Sequence, residues 1–259
     1  VAANHTVIAS FTTRGATIFW RNIATGENSV WYMNGSTHTG TAALEPLSGA
    51  WRMAGVADFN NDGEADILWR DMSTGANMVW YMNGTTHSGS ANLAPITDQN
   101  WKIAGVADFN NDGKPDIVWR NISTGENMVW YMNGATQSGS ASLPLVSNQD
   151  WRIAGAADFD NDGKPDLLWH NVSTGANAVW YMDGITHTGS DSVNSLPDLN
   201  WKIAGTTDLN NDGKPDILLR NTTTGADMVW YMNGANVAQA LPLDAEPNLS
   251  LEMAGQTNN

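Results

Sequence analysis

The sequence predicts an all-β fold: a five-bladed β-propeller of four-stranded blades, one domain over residues 1–259, its ring closed by the two termini. Three observations lead there. A unit of fifty residues recurs along the whole chain. Each unit holds four strand-length segments and a tight turn. The two chain ends carry complementary parts of one further unit.

The repeat is plain in the motif Trp51-Arg52-Met53-Ala54-Gly55, which returns at Trp101, Trp151 and Trp201 and, as Leu251-Glu252-Met253-Ala254-Gly255, at the end of the chain. A second motif, W-Y-M-N/D-G, begins at Trp31, Trp80, Trp130, Trp180 and Trp230. Repeats of this length point to solenoids, propellers or arrays. In the third unit, strand one is expected near Trp101–Phe109 and strand two at Asp116–Arg120. Strand three is expected at Met128–Met132, and strand four from about Ala135 to Ser142. Asn133-Gly134 predicts a type I′ hairpin turn, which needs positive φ at both central residues. Strands two and three carry large apolar residues at both parities, as strands covered on both faces do. No segment has a helix-length 3.6-residue apolar period. The runner-up, a solenoid, needs polar capping repeats that are not visible. Leu251–Gly255 starts a sixth unit that Val7–Trp20 would complete, so pairing the ends removes an open sheet edge. Which terminus supplies which strand of that blade is left open.

Composition narrows the function. With 27 acidic and 12 basic residues the formal net charge is −15, which repels nucleic acid, a ligand held mainly through Lys and Arg on phosphates. Cysteine is absent, so there is no disulfide framework, thiolate metal site or cysteine nucleophile. No run of ~18 apolar residues is present, so no helical membrane insertion is expected. The chain begins at Val1 without a signal peptide, as a processed protein or a module of a longer one would.

Between strands one and two the chain reads D-F-N-N-D-G-E-A-D from Asp58, with near copies from Asp108, Asp158 and Asp208. Oxygen side chains at positions 1, 3, 5 and 9 with glycine at 6 match the first half of an EF-hand loop, where position 7 offers a backbone carbonyl. The candidate calcium ligands are therefore Asp58, Asn60, Asp62, Glu64 and Asp66 in one loop, and Asp108, Asn110, Asp112, Lys114 and Asp116 in the next. Asp158, Asp160, Asp162, Lys164 and Asp166 form the third set, and Asp208, Asn210, Asp212, Lys214 and Asp216 the fourth. The Glu64 and lysine contributions are main-chain carbonyls. Hard oxygens in this number suit Ca2+ better than Mg2+, which demands tighter octahedral geometry. About four structural Ca2+ ions are expected, and they would roughly halve the net charge of −15. The corresponding first segment, Phe11–Thr17, is a residue shorter and has no carboxylate, so no ion is expected there. Arg14 is the candidate to stand in for its charge.

The D-F-N-N-D-G-K-P-D-I-V-W pattern resembles the FG-GAP/VCBS repeats of integrin α-subunit propellers and many secreted bacterial proteins. The resemblance covers the loop and following strand in four of five units. It implies a calcium-stapled propeller, usually of six to eight blades, so five is a departure. The family includes integrin-like lectins, and the resemblance implies secreted, extracellular binding rather than a reaction.

Strand order puts the calcium loops and Asn-Gly turns at one end of the ring, and the two-to-three loops with the inter-blade connections at the other. At that second end Trp51, Trp101, Trp151 and Trp201 neighbour Arg70-Asp71 and Arg120-Asn121. Aromatic faces stack on sugar rings and planar polar groups take hydroxyls, so these eight residues are the candidate carbohydrate-binding set. The bland alternative is inter-blade core, with the arginines paired to blade acids. His38, His87 and His187 repeat with Gln137, which fits an outer strand better than catalysis, and His170 breaks the arginine series without a visible partner. The expected function is a multivalent lectin or carbohydrate-binding module, with glycans as partners and a chain that is a monomer or a module of a larger protein. The alternatives are a protein-binding adhesion propeller and, less favoured, a polysaccharide-active enzyme. Enzymes concentrate one asymmetric constellation in one cleft, whereas the distinctive residues here are distributed evenly.

Overall fold

The computed structural model describes residues 16–254. It is an all-β ring of five four-stranded antiparallel sheets. The second blade is formed by β4 (Trp51–Ala57), β5 (Asp66–Asp71), β6 (Asn77–Asn83) and β7 (Thr86–Leu93). The third repeats it as β8 (Trp101–Ala107), β9 (Asp116–Asn121), β10 (Asn127–Asn133) and β11 (Thr136–Leu143). The fourth has β12 (Trp151–Ala157), β13 (Asp166–Asn171), β14 (Asn177–Asp183) and β15 (Thr186–Val193). The fifth has β16 (Trp201–Thr207), β17 (Asp216–Asn221), β18 (Asp227–Asn233) and β19 (Asn236–Pro242).

The first blade settles how the termini divide. Its inner strand is β20 (Leu251–Met253), and β1 (Thr17–Asn22), β2 (Asn28–Asn34) and β3 (Thr37–Leu44) follow in sheet order. β20 pairs antiparallel with β1 through Trp20 opposite Met253 and Asn22 opposite Leu251. The C-terminus thus gives strand one, and the N-terminus strands two to four. The segment Phe11–Gly15, with Arg14, lies outside the described residues.

The core sits between blades, which explains why strand two is apolar at both parities. Five apolar clusters each join two neighbouring blades. One unites Ala204, Leu218 and Val229 of the fifth blade with Ile18, Trp20 and Met253 of the first, so the ring closes by packing as well as by pairing. The five second strands are buried along almost their whole length, whereas outer strands such as β3 and β7 alternate between exposed and half-buried residues. Inner strands approach one another closely at the glycine of the W-[KR]-[IM]-A-G motif. A Cβ on Gly105 would lie 3.1 Å from Ala156 Cβ, and one on Gly155 2.8 Å from Thr206 Cγ2.

The hairpin turn differs from the expectation. Asn133 pairs with Thr136, so the two central residues are Gly134 and Ala135. Only Gly134, at φ 62°, has positive φ there. That is the pattern of a type II′ turn, with glycine first, rather than type I′. Asn133 instead ends the strand.

Gly125, in the loop between β9 and β10, is held at φ 81°. Its N–H bonds Asn121 O at 2.9 Å, and its carbonyl accepts from Val146 N at 3.0 Å. A Cβ there would collide with the carbonyl oxygen of Val146. Gly125→Ala therefore combines left-handed strain with a backbone clash. Urea unfolding is expected to show a loss of about 3 kcal/mol, at the upper end for a strained backbone site; an unchanged midpoint would contradict this packing.

Candidate functional site

The four acidic loops share one geometry. In the third blade, Asp108 Oδ1 accepts from Asp112 N at 3.1 Å and Oδ2 from Gly113 N at 2.7 Å. Asn110 Oδ1 accepts from Asp112 N at 3.0 Å, and Asp112 Oδ1 from Lys114 N at 3.0 Å. Positions 1, 3 and 5 thus fold the loop on itself and gather side-chain oxygens. The loops that begin at Asp58, Asp158 and Asp208 repeat the bonds.

Position 9 does more than the sequence reading assigned. Asp66, Asp116, Asp166 and Asp216 are at most 1% exposed. Asp116 Oδ2 accepts from Phe109 N at 3.0 Å, and Oδ1 accepts from Met132 N at 2.9 Å. The carboxylate therefore ties the loop to strand three. Burial pushes its pKa up to about 7, against the downward pull of those two N–H donors. Asp166 is likewise raised to about 7, and Asp66 and Asp216 to about 6, all by burial first. Position 4 was missed altogether. Asn61, Asn111, Asn161 and Asn211 adopt left-handed φ of 57–60°, a conformation asparagine tolerates better than most residues.

In the fourth blade, one oxygen from each of Asp158, Asp160 and Asp166 lies within 4.8 Å of the others. Burial is the largest cause of the raised pKa of Asp158. A set of hard oxygen donors brought together this closely suits a hard divalent cation. The other three loops have asparagine in place of Asp160. There Asn60 donates to Asp62 Oδ2 at 2.8 Å, and Asn110 and Asn210 make the same bond at 3.2 Å. Lys164 Nζ sits 2.9 Å from Asp183 Oδ1, which puts the Asp-Gly turn beside the loop as strand order requires.

At the opposite end, the structure corrects the arginines. Arg70 and Arg120 are 0% and 1% exposed and offer no surface to a ligand. Arg120 Nη1 donates to Asn127 Oδ1 at 2.9 Å and Gly125 O at 3.2 Å. Its other nitrogens reach the carbonyls of Trp151, Val146 and Asn148 at 2.8–3.2 Å. The guanidinium lies over the Trp169 ring of the next blade, 5.0 Å from its centroid. Arg21 over Trp69, Arg70 over Trp119 and Arg220 over Trp20 repeat the contact. In blade four His170 replaces arginine, its Nδ1 2.7 Å from Asn177 Oδ1, and the tryptophan it would have faced is Leu219. The two departures fall on one interface, a signal present in the sequence. Burial lowers Arg21, Arg70 and Arg120 to about 10.

Asp71, half-exposed, and Asn121, buried, both hold their own loops. Asp71 Oδ1 accepts from Ser73 N at 2.7 Å and Thr74 N at 3.0 Å, and Asn121 Oδ1 does the same for Ser123 and Thr124. They cap the two-to-three loops. Of the eight proposed sugar contacts, Trp51, Trp101, Trp151, Trp201 and Asp71 are half-exposed, and the other three are buried. Each of the four tryptophans packs one side on an inter-blade cluster. Exposed polar residues precede three of them, at Asn100, Asp150 and Asn200. The remaining tryptophans fall into two series, one on strand two and one on strand three, all buried except half-exposed Trp180. His38, His87 and His187 lie on outer strands and stack on Trp31, Trp80 and Trp180 at 4.2–4.4 Å.

The class these features define is a repeat propeller with acidic loops. Comparison is consistent with this: the model of the FG-GAP-like repeat matches residues 58–119, 108–169 and 158–219. Those matches span more than half of the sequence, so the chain belongs to the FG-GAP-like repeat family. No curated protein matches it. A nidogen/laminin complex is similar in fold, at 15% identity and a TM-score of 0.52 over 89% of this chain and 79% of that one. Virginiamycin B lyase from Staphylococcus aureus matches at 8% identity and a TM-score of 0.47, over 94% of this chain and 71% of its own.

Proposed function

We propose that this chain is an extracellular carbohydrate-binding propeller, stabilised by about four structural calcium ions and acting by multivalent binding without catalysis. The observation that carries the reading is the fourfold series of half-exposed tryptophans, Trp51, Trp101, Trp151 and Trp201, at the end away from the acidic loops. Trp101, Trp151 and Trp201 each offer a ring directly after an exposed polar connector residue, the combination that stacks a sugar face and bonds its hydroxyls. Near-equivalent weak sites gain avidity on a surface that presents many copies of one sugar. Buried Arg70, Arg120 and Asn121 support these sites from behind, and half-exposed Asp71 stays within reach of a ligand. The test is a glycan array with the labelled, calcium-loaded protein. Binding to a defined sugar class, lost when the four tryptophans are changed to alanine, is the expected result. No binding to any glycan would overturn the reading.

Calcium would be held by the side-chain oxygens at positions 1, 3, 5 and 9 and the carbonyl at position 7; it supplies cross-linking charge and no reaction. The fourth blade, with Asp160 where the others have asparagine, is expected to bind most tightly, since affinity rises with the number of charged ligands. Asp160→Asn is expected to weaken that site on the order of tenfold. A calcium titration would then show four similar sites in place of one tight and three weaker. Identical isotherms for the two proteins would contradict this assignment.

A further inference from the structure

All twelve Lys and Arg residues can be placed by repeat position. Arg14 lies outside the described residues. Arg21, Arg70, Arg120 and Arg220 are the buried inter-blade staples. Lys114, Lys164 and Lys214 sit in the acidic loops. The remaining four, Arg52, Lys102, Arg152 and Lys202, occupy the second position of the inner strands β4, β8, β12 and β16. Glu252 holds that position in β20. Inner strands line the axis of a propeller, so these five side chains form one ring at the end opposite the acidic loops.

The register gives their direction. Lys102 pairs with Arg120, Arg52 with Arg70, and Lys202 with Arg220. Directly paired residues share a sheet face. Arg152 pairs with His170 in the same way, so each axial cation leaves the same face as the buried guanidinium, or in the fourth blade the buried imidazole, of its own blade, toward the next blade. The ring is only partly compensated: Glu252 bonds Arg52, Oε2 to Nε at 3.0 Å. Among the described residues Lys102, Arg152 and Lys202 make no ion pair within 4.0 Å. Asp150 acts on Arg152 only at longer range, as Asp71 and Asp98 act on Arg70. The lysines are near enough to other cations to be destabilised in charged form. Lys102 is lowered by burial and then by Arg70 and Arg152, and Lys202 by burial and then by Arg152. Half-burial at one level of neighbouring inner strands, with like charge that only Glu252 relieves by an ion pair, favours a bound anion.

The geometry points to an axial site, formed by Arg52, Lys102, Arg152 and Lys202, that takes one oxyanion of carboxylate or sulfate type. Guanidinium forks and ammonium point charges both match such groups. A long polyanion is disfavoured by the net charge of −15 outside the ring, so a single anionic group is the occupant. The source is either a free inorganic anion or the acid group of a sugar residue; the site itself does not rest on the carbohydrate reading.

The experiment titrates inorganic sulfate into the calcium-loaded chain in low-chloride buffer, read by calorimetry and by Tm. Saturable binding of one sulfate per chain with a rise in Tm is expected. The double variant K102Q/K202Q is expected to lose at least about tenfold in affinity, and E252Q, which removes the ring's anion, to gain several-fold. The opposite signs keep the test decisive if one variant folds poorly. Competition by D-glucuronate but not D-glucose identifies an acid sugar as a source; sulfate binding without such competition leaves a free inorganic anion. No saturable sulfate binding, or variants that bind like the parent, overturns the site. Because that titration contains no sugar, its failure is distinct from failure of the glycan array.

Discussion

Arg120→Met is expected to lower the stability of the ring by about 3–5 kcal/mol, the range for removing one member of a buried charged network. The side chain it removes is 1% exposed and is bonded to Asn127 and to the carbonyls of Gly125, Trp151, Val146 and Asn148. Methionine fills much of the volume but donates nothing, so those buried acceptors lose their partner, at about 1–3 kcal/mol for each one that water cannot reach. The stack on Trp169 goes as well, and a desolvated cation–π contact is worth about 2 kcal/mol. At roughly 2–4 °C per kcal/mol for a chain of this size, Tm should fall by about 6–20 °C. Arg120→Lys is expected to recover little, since a point charge cannot occupy the fork of acceptors. Thermal unfolding checks both. A Tm within a degree of the parent would show that the buried guanidinium is not a staple.

Withdrawal of calcium is expected to cost still more. An ion at 100 times its Kd adds about 2.7 kcal/mol, and four independent sites would together add ~10 kcal/mol. Chelation by EDTA should therefore lower Tm sharply. The pH dependence should also change. Without metal, burial holds Asp116 and Asp166 near 7 and Asp66 and Asp216 near 6, against an ordinary 3.8. An acid whose folded pKa is raised binds its proton more tightly in the folded state. Stability then declines as pH rises through the window from about 4 to about 7. The metal-free protein should melt higher at pH 5 than at pH 8. With calcium the order should reverse, because the ion binds the carboxylates and protons compete with it. Identical melting with and without EDTA at pH 8 would contradict a stapling role.

The blades were legible because each is a local β unit written several times. The Asn-Gly turns, the alternating motifs and the truncated sixth unit all survive in linear sequence, and five blades follow from counting them. The turn type was not legible, since it depends on register: one residue of shift moves Asn133 from the turn to the strand end. The division of the closing blade between termini likewise depends on pairing and not on composition. At the acidic loops the donor spacing could be read directly. The second role of Asp116 could not, because its partner Met132 lies sixteen residues on and offers only a backbone N–H. The arginines misled because an Arg beside Trp in a polar loop region looks alike whether it faces solvent or the next blade. The joint departure at His170 and Leu219 was the available clue. The axial ring was hidden for a related reason: five residues spaced along the chain become neighbours only when the ring closes.

The proposed division of charge, with calcium held by the acids at one end and cations elsewhere holding blades and lining the axis, is tested most directly by counting ions. Native mass spectrometry of the chain in calcium, repeated after chelation, gives the count without assuming a ligand. Four ions per chain, lost in EDTA and reduced to three in an Asp108→Ala variant, is the expected result. A chain that carries no calcium, or one whose count is unaffected by Asp108→Ala, would contradict it.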